Sequence, residues 1–508
     1  MERWDTLELT FTGKTDGNPF ADYFIQGTFS CHEEEKFVEG FYDGNGVYKI
    51  RFMPSYEGNY HYHVHGNFSE DEYRGEFIVE KPSGNNHGSV RVKNKFHFAY
   101  DDGTPYYSLG TTCYVWHLKE EALKAETLSS LEDAGFNKIR FCVFPKHYQY
   151  NIDDPKCFPF EGNPMDSRAV TEENFYEFGP KSEGSHWDFD RFHPEYFRNI
   201  EECILKLQKL NIVADIILFH PYDRWGFSTM DNETDMRYIQ YIIARFSAYR
   251  NIWWSLANEY DFMPEKTVEH WDEIGNYIMK NDPYGHLRSI HNGLKIYDHT
   301  KDWVTHCSIQ RCDIYKTAEY TDEYRAKYQK PIVLDEIAYE GNIKDGWGNI
   351  AGDEMVRRFW EAACRGGYPG HGETYISSDN ILWWSHGGKL KGESHKRIKF
   401  LLDILEQTPG HGLRPDTDHK PANWDCVCAI PEDEKAASET DYHLYYYSFM
   451  QPSCRTFYFD DDSEYTVDII DTMDMVITPA GSFRGFFKIE LPAKKYMAIR
   501  IQKVIATT

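Results

Sequence analysis

From residue 98 to about 405, eight short apolar runs alternate with amphipathic stretches that have the pattern of helices. The runs are YYSLGTTCYVW, NKIRFCVFP, IVADIILFHP, IWWSLANEYD, LRSIHN, DWVTHCSIQ, PIVLDEIAYEG and NILWWSHGG. Eight parallel strands separated by helices close naturally into a (β/α)8 barrel. A doubly wound sheet is the alternative, but it usually carries a glycine-rich phosphate turn after its first strand, and SLGTTCYVW is not one. The pattern therefore predicts a barrel over residues 98–410.

The regions on either side of the predicted barrel have a different pattern. Residues 1–90 contain short alternating runs such as LELTFTG, YKIRFMP and GEFIVEKP, broken by Gly, Asn and Pro, which is typical of a small antiparallel β-sandwich. Alternation returns in YHLYYYSFM, YTVDIIDT and FFKIELPAKKYMAIRIQ, so residues 412–508 are predicted to form a small β-domain. With 508 residues the chain is too long for one ordinary domain, so we expect an α/β barrel flanked by these two units.

Composition excludes several classes of partner. The net charge of −27 argues against binding to nucleic acid or to an anionic membrane surface. No apolar run reaches 18 residues and the N-terminus lacks the features of a signal peptide, so we expect a cytoplasmic protein. Eleven cysteines spread along the chain fit reduced thiols, and a metal site at the close pair Cys426 and Cys428 is disfavoured because it would need two further ligands nearby. No metal or cofactor is expected, and a homo-oligomer is left open.

Polar residues close most of the apolar runs, at the rim where barrel enzymes carry their function. In order along the chain these residues are Arg140, His220, Asn258 and Glu259, His291 and Asn292, Ser308 and Gln310, Glu336, and finally Trp383, Trp384 and His386. Because the carboxyl ends of all eight strands meet at one rim, we expect these side chains to converge on one site.

Two of the rim residues are carboxylates on opposite sides of the ring, Glu259 on run four and Glu336 on run seven. Burying a carboxylate costs several kcal/mol unless it is paired or used. Retaining glycosidases use two carboxyl groups about 5 to 5.5 Å apart, one as nucleophile and one as acid and then base. The alternative for Glu259 is a carboxylate that stabilises the start of a helix. For Glu336 the rivals are Asp335, which strand alternation turns towards the helices, and Glu340, which falls in a loop.

Two motifs resemble a known group of enzymes. NIWWSLANEYD resembles the Asn-Glu signature that closes strand four in the retaining glycoside hydrolase clan with catalytic residues on strands four and seven, and PIVLDEIAYEG resembles the strand-seven motif of that clan. WDFDRFHPEYF and LQKLNIVADIILFHPYDRWGF resemble bacterial glycosidases with an N-terminal sandwich, akin to the apiosidase-like barrels. The resemblance implies that Glu259 is the acid/base and Glu336 the nucleophile. It also implies that Asn258 binds the hydroxyl next to the anomeric carbon and that Arg140 orients the nucleophile.

The chain departs from this clan at strand six, where a tyrosine often contacts the nucleophile. VTHCSIQRCD offers Ser308 or Gln310 there, and Tyr339 or Tyr375 from a neighbouring loop could substitute. His220 and His291 suit either sugar hydroxyls or structural roles, and a metal site with Asp223 is disfavoured because a barrel glycosidase needs none. One of Trp225, Trp383 and Trp384 is expected to stack on a sugar, and alternation lets only one of the last two face inward.

A long loop at 146–187 is expected to fold over the site and to favour single terminal sugars. The sequence thus predicts a retaining exo-glycosidase that acts on plant or microbial oligosaccharides and carries a pentoside or hexoside specificity. An endo-acting glycanase, or a carbohydrate-binding protein whose catalysis has decayed, are the alternatives.

Overall fold

The computed structural model of the protein describes residues 1–164, 168–180, 186–417, 425–460 and 462–505. The N-terminal strands are β1 (Leu7–Thr12), β2 (Gln26–Ser30), β3 (Glu35–Glu39), β4 (Phe41–Tyr42), β5 (Val47–Phe52), β6 (Gly58–His65) and β7 (Tyr73–Val79). They form two antiparallel sheets, in the orders β1-β5-β4 and β3-β2-β6-β7. The rings of Phe29 on β2 and Phe52 on β5 stack 4.4 Å apart, so the two sheets share a buried core.

A small antiparallel sheet closes the N-terminal end of the barrel. Its strands are β8 (Val90–Lys93), β9 (His97–Tyr100) and β10 (Pro105–Tyr106). Phe98 on β9 packs against Trp253, His306 and Tyr368, with ring centroids 5.1 to 5.8 Å apart. These three partners lie at the starts of different barrel strands, so Phe98 fills the end of the barrel opposite the predicted site.

The central region contains the eight barrel strands and four accessory strands. They are β11 (Gly110–Thr112), β12 (Lys138–Cys142), β13 (Phe160–Asn163), β14 (His186–Phe192), β15 (Val213–Phe219), β16 (Ile252–Ala257), β17 (Arg288–Ser289), β18 (Cys307–Gln310), β19 (Ile332–Glu336), β20 (Glu340–Gly341), β21 (Tyr368–His371) and β22 (Glu373–Thr374). Eight of them form one parallel sheet in the order β17-β16-β15-β12-β11-β21-β19-β18. A parallel bridge between His291 and Ser308 joins its two edges, so the predicted (β/α)8 barrel is confirmed.

Helices surround the barrel. They are α1 (Glu121–Ala134), α2 (Pro194–Lys209), α3 (Asn232–Phe246), α4 (Val268–Asn281), α5 (Thr321–Tyr328), α6 (Gly352–Cys364), α7 (Trp383–His386) and α8 (Ser394–Leu405). Short 3-10 turns lie at Trp116–Leu118, Phe175–Glu177, Phe227–Thr229, Tyr260–Phe262, Ala318–Tyr320 and Gly346–Gly348. Within the described residues, no helix combines the length and apolar character that crossing a bilayer requires.

The predicted position of the eighth barrel strand is wrong. NILWWSHGG forms the short helix α7, and the eighth strand is β21, with the sequence YPGH. Pro and Gly are depleted in strands, so the pattern hides this one. A Cβ atom at Gly370 would lie 2.4 Å from the backbone oxygen of Asp335 on β19. The close approach of strands seven and eight therefore requires glycine at position 370.

The C-terminal unit is mostly antiparallel. It contains β23 (Leu413–Pro415), β24 (Val427–Pro431), α9 (Glu434–Thr440), β25 (His443–Tyr446), β26 (Cys454–Tyr458), β27 (Tyr465–Asp471), β28 (Val476–Phe483), β29 (Phe486–Glu490) and β30 (Met497–Lys503). Six strands form a sheet in the order β23-β24-β25-β30-β27-β28, and β26 pairs with β29. The Trp360 ring on α6 stacks on Tyr446 with centroids 5.3 Å apart, which joins this sheet to the barrel.

Candidate active site

Glu259 lies two residues beyond β16, at the start of a 3-10 turn, with its backbone in the left-handed region at φ 51°. Such conformations cost about 1–3 kcal/mol for a residue other than glycine and cluster at functional sites. The buried carboxyl group accepts hydrogen bonds from the Tyr222 hydroxyl, from Nδ2 of Asn258 at 3.2 Å and from Nε2 of Gln310 at 3.1 Å. It makes no capping bond to the turn, so the helix-start interpretation of Glu259 does not describe its contacts.

Glu336 ends β19, on the opposite side of the ring. Its Oε1 accepts a hydrogen bond from the Tyr114 hydroxyl and lies 3.3 Å from Nη1 of Arg140 and 3.4 Å from Nε2 of His291. Three donors from barrel strands one, two and five thus converge on one carboxylate oxygen. Glu336 is buried, with 9% of its surface exposed, so these contacts form largely away from solvent.

The two carboxyl groups share a network of hydrogen bonds. Nη1 of Arg140 and the Tyr114 hydroxyl, which both contact Glu336, also contact Oδ1 of Asn258, at 2.9 and 3.1 Å. Nε2 of His291 lies 3.4 Å from Oε1 of Gln310, the residue that donates to Glu259. A change in the charge of one carboxyl group is therefore transmitted to the other through short polar contacts and through space.

The pKa values of the two groups move in opposite directions. Burial, followed by the negative charge of Glu336, raises the pKa of Glu259. Burial alone would raise the pKa of Glu336 as well, but the hydrogen bond with His291, the charge of Arg140 and the Tyr114 hydroxyl together hold it well below its usual range. Glu259 therefore holds a proton more tightly than Glu336, which is the order of proton affinities that an acid and a nucleophile need.

Two tyrosines of this network were missed in the sequence. The tyrosine that contacts the nucleophile was expected on strand six, but Tyr114, which follows strand one, makes this contact with Glu336. The two proposed substitutes do not: Tyr375 donates to Glu340 at 3.1 Å, and Tyr339 makes no hydrogen bond to Glu336. Tyr222 follows strand three and donates to Glu259. Their position could have indicated a role in the site, because both tyrosines lie at the C-terminal end of an apolar run, in GTTCYVW and LFHPYDR.

The other predicted binding residues fall into two groups. His291 and Trp384 lie at the site: Trp384 packs edge-on against Tyr114 at 5.4 Å. The four other residues make hydrogen bonds away from the two carboxyl groups. Nε2 of His220 contacts the Phe144 carbonyl at 3.2 Å, and Nε2 of His386 contacts the Tyr150 carbonyl at 2.9 Å. The indole N–H of Trp225 donates to Asp154 at 3.0 Å, and that of Trp383 donates to Thr111 at 2.8 Å. Burial lowers the pKa of His220 to about 3 and that of His386 to about 4, so both rings are neutral.

The expectations for the rivals of Glu336 were wrong. Asp335 faces the barrel interior, where it accepts a hydrogen bond from Lys138 at 2.6 Å, and not the helices. The pairing of β18 with β19 shifts register between Ser308 and Gln310, so simple alternation fails at the end of the strand. Glu340 is buried rather than solvated and accepts backbone N–H groups of Glu393 and Ser394 at the start of α8. Both acids have structural partners.

Part of the loop predicted to cover the site can be placed. Residues 165–167 and 181–185 lie outside the described residues, but Tyr148 stands beside the site, with its ring centroid 5.1 Å from Tyr222 and 5.8 Å from Trp384. Trp347, from the region after strand seven, lies 5.3 Å from Trp384. These rings form an aromatic wall of Tyr148, Tyr222, Trp347 and Trp384.

Two buried groups in the described part of the chain bring metal-ligand atoms within 4.8 Å of one another: Glu340, His371 and Glu373, and Asp416, Cys428 and His443. In the first group the carboxylates already accept backbone N–H groups from residues 391–394. Burial raises the pKa of Glu373 to about 7, which lowers its charge. Neither group contains a residue that hydrogen-bonds to Glu259 or Glu336, and all eleven cysteines are free thiols.

Comparison with known proteins assigns the central part of the chain to a family. A family profile described as the apiosidase-like catalytic domain matches residues 92–410, and two profiles described as domains of unknown function match residues 1–67 and 424–502. No curated protein matches the chain.

Solved structures agree with the family match. A candidate glycoside hydrolase of Bacteroides vulgatus ATCC 8482 is 36% identical, with a TM-score of 0.89 over 99% of both chains. A glycoside hydrolase family 5 protein of the same organism is similar in fold alone, with 17% identity and a TM-score of 0.58 over 82% of this chain and 94% of that one. Since the family profile spans more than half of the sequence, the chain belongs to the apiosidase-like family of glycoside hydrolases.

Proposed function

We propose that the protein is a retaining exo-glycosidase that removes a terminal pentose or hexose from plant or microbial oligosaccharides. The observation that carries the proposal is the pair of buried carboxyl groups whose pKa values move apart, upwards for Glu259 and downwards for Glu336. A nucleophile must be ionised and an acid must hold its proton at the same pH, and a raised pKa for Glu259 beside a lowered pKa for Glu336 favours both conditions.

In the first step the Glu336 carboxylate attacks the anomeric carbon while Glu259 donates its proton to the leaving oxygen. The Arg140 charge and the Tyr114 hydroxyl keep Glu336 ionised and oriented before the bond forms. When Glu336 becomes an ester its negative charge disappears, so the electrostatic cause that raises the pKa of Glu259 weakens. Glu259, which is ionised after its proton has left, is then suited to act as a base.

In the second step the Glu259 carboxylate removes a proton from water, and the water oxygen displaces Glu336 from the anomeric carbon. The donors Tyr222 and Gln310 stabilise the ionised form of Glu259 during this step. Asn258 accepts a hydrogen bond from Arg140 through its Oδ1, while its Nδ2 donates to Glu259 at 3.2 Å. We assign it the hydroxyl next to the anomeric carbon, because hydrogen bonds to this group strengthen in the transition state.

The aromatic wall supports action on a chain end. Tyr148 and Trp347 come from two different loops, and the rings of both lie against Trp384. Aromatic faces also suit the apolar side of a sugar ring. A stacking wall built from two loops beside the carboxyl groups favours a single terminal sugar over the interior of a polymer.

The test is a panel of aryl glycosides that covers apiosides and other pentofuranosides, pentopyranosides, galactosides, glucosides and fucosides. The apioside is included because the matching family is described by that activity. The wild type should release the phenol from one of them, and Glu336→Ala should abolish the release. Glu202→Ala, which removes an exposed carboxylate on α2, is the control and should be fully active.

Retention is tested on the substrate found in this panel. Methanolysis followed by NMR should give the methyl glycoside with the starting anomeric configuration. Azide should rescue Glu336→Ala as the glycosyl azide of inverted configuration, and Glu259→Ala as the azide of retained configuration. An inverted methyl glycoside from the wild type would rule out double displacement. If the wild type cleaved polysaccharides but none of the aryl glycosides, the protein would be an endo-acting rather than an exo-acting enzyme.

A further inference from the structure

Lys146 lies four residues beyond β12, and only 2% of its surface is exposed. Its Nζ is 3.5 Å from the ring centroid of Tyr114, 4.2 Å from that of Tyr222, 4.5 Å from Trp384 and 5.7 Å from Tyr148. In the part of the chain that the structure describes, no hydrogen bond or ion pair to Nζ is formed. A buried ammonium group without a paired anion is costly, and aromatic faces offset only part of that cost.

Two of the rings that face Lys146 belong to the tyrosines of the active site. Tyr114 donates its hydroxyl to Glu336, and Tyr222 donates its hydroxyl to Glu259. One ammonium group therefore contacts the donors of both carboxyl groups. A cation over the face of a phenol ring withdraws electron density from it, which makes the hydroxyl a stronger hydrogen-bond donor.

Among the described groups that act on Lys146, Glu336 is the anion of the resting site, and Glu259 becomes a second one when it gives up its proton. Burial raises the pKa of Cys142 to about 12 and lowers the pKa of His220 to about 3, so both are neutral near pH 7. Tyr114, Tyr148 and Tyr222 are neutral phenols with raised pKa values. The other titratable groups that act on Lys146 are Arg140, Glu259 and Glu336, and Arg140 is already paired with Glu336.

We propose that Lys146 is a positioning residue of the active site: it holds the rings of Tyr114 and Tyr222 and provides the positive charge that favours ionisation of both carboxyl groups. The inference rests on the proposed glycosidase function. It matters most in the second step, when Glu259 is the base and its negative charge has the Lys146 charge beside it. Burial lowers the pKa of Lys146 to about 8, so this charge is lost in mildly alkaline solution.

The test is the pH dependence of kcat/KM for wild type, Lys146→Met and Lys146→Arg on the aryl glycoside from the panel. The methionine variant keeps an unbranched stem of similar length but removes the charge, so both limbs of the profile should move up by about one pH unit. Lys146→Arg should restore the wild-type limbs. Lys156→Met removes an exposed lysine from the same loop, whose side chain is 77% exposed, and should leave the profile unchanged.

A lower plateau with unshifted limbs in Lys146→Met would show a purely structural role and overturn the proposal. A second measurement does not depend on turnover: carboxyl carbon NMR of glutamate-labelled protein, with Glu259→Gln to assign the signal, gives the pKa of Glu259 directly. That pKa should rise in Lys146→Met and in Lys146→Gln, and an unchanged value in either folded variant refutes the inference. An inactive wild type in which the Glu259 pKa still depends on Lys146 would contradict the proposed function alone.

Discussion

The Tyr222 hydroxyl donates a hydrogen bond to Oε2 of Glu259, so a residue that follows barrel strand three supports the ionised form of a carboxyl group that follows strand four. This contact lowers the pKa of Glu259, against the larger effects of burial and of the Glu336 charge, which raise it. The balance among these effects sets the pH at which Glu259 gives up its proton, and each can be changed separately.

Removal of the Tyr222 hydroxyl should move the alkaline limb of the activity profile. In Tyr222→Phe the pKa of Glu259 rises further, so we expect the alkaline limb to shift up by about half to one pH unit. We also expect kcat to fall about tenfold, because the ionised Glu259 that acts as the base in the second step is less stabilised. The pH dependence of kcat and kcat/KM measures both effects. Tyr150→Phe is the control, since that hydroxyl donates to Asp345 at 3.3 Å; an equal shift there would argue against a specific effect of Tyr222.

Removal of the Tyr114 hydroxyl should move the acidic limb. The hydroxyl helps to hold the pKa of Glu336 down, and activity is lost as the pH falls through that pKa, because a protonated nucleophile cannot attack. Tyr114→Phe should therefore shift the acidic limb upwards and lower kcat/KM about 10- to 100-fold. Tyr375→Phe, which removes a hydroxyl bonded to Glu340, is the matched control. A Tyr114→Phe profile that superimposes on the wild type would remove Tyr114 from the network.

A buried cluster of ion pairs joins the N-terminal sheets to the barrel and should contribute to stability. Glu201 on α2 bonds to Arg51 on β5 and to Arg245 on α3, both at 2.7 Å, and all three are buried. Glu201→Gln removes the anion that the two buried guanidinium groups share, although Arg51 keeps Glu8 and Arg245 keeps Asp43 as partners, each at 2.8 Å. It should lower the free energy of unfolding by about 2–3 kcal/mol. Urea denaturation at pH 7 measures the loss, and Glu202→Gln on the exposed face of α2 should change it by less than about 0.5 kcal/mol.

The same carboxylate predicts a pH dependence of stability. Burial would raise the pKa of Glu201, but the Arg245 and Arg51 charges lower it from 4.5 to about 2 in the folded protein. Its contribution is therefore fully present above pH 4.5 and is lost as the pH falls from 4.5 towards 2. The difference in unfolding free energy between wild type and Glu201→Gln should shrink over that window. A constant difference down to pH 2 would contradict the assigned pKa.

Strand eight should not accept a side chain at position 370. Gly370→Ala places a Cβ atom 2.4 Å from the Asp335 carbonyl oxygen, a backbone atom that cannot move without shifting β19 and Glu336. We expect a loss of about 2–3 kcal/mol in stability together with reduced activity. Thermal unfolding and the aryl glycoside assay test both effects. Gly346→Ala, where no atom lies within 4 Å, should behave like the wild type, and a stable, active Gly370→Ala would show that strands seven and eight pack less tightly.

The apolar runs by themselves determined the barrel and the order of seven of its strands, because a strand buried on both faces must be nearly continuous in apolar residues. They also pointed to Glu259 and Glu336, since a polar residue that closes such a run stands at the rim. The sequence pattern did not predict the eighth strand, YPGH, because these residues have a low strand propensity. They fit the barrel through the close contact of Gly370 with Asp335, a residue distant in sequence.

Tertiary structure alone decided which neighbours tune the two carboxyl groups. Tyr114, Lys146 and Tyr222 follow three different strands, and nothing local in the sequence marks them as partners of Glu336 and Glu259. The tertiary structure also decided the orientation of Asp335. Simple alternation would turn Asp335 outward, but the register between strands six and seven shifts at the rim, so Asp335 faces inward. Burial and distance between remote segments set proton affinity, and these quantities exist only once the barrel has closed.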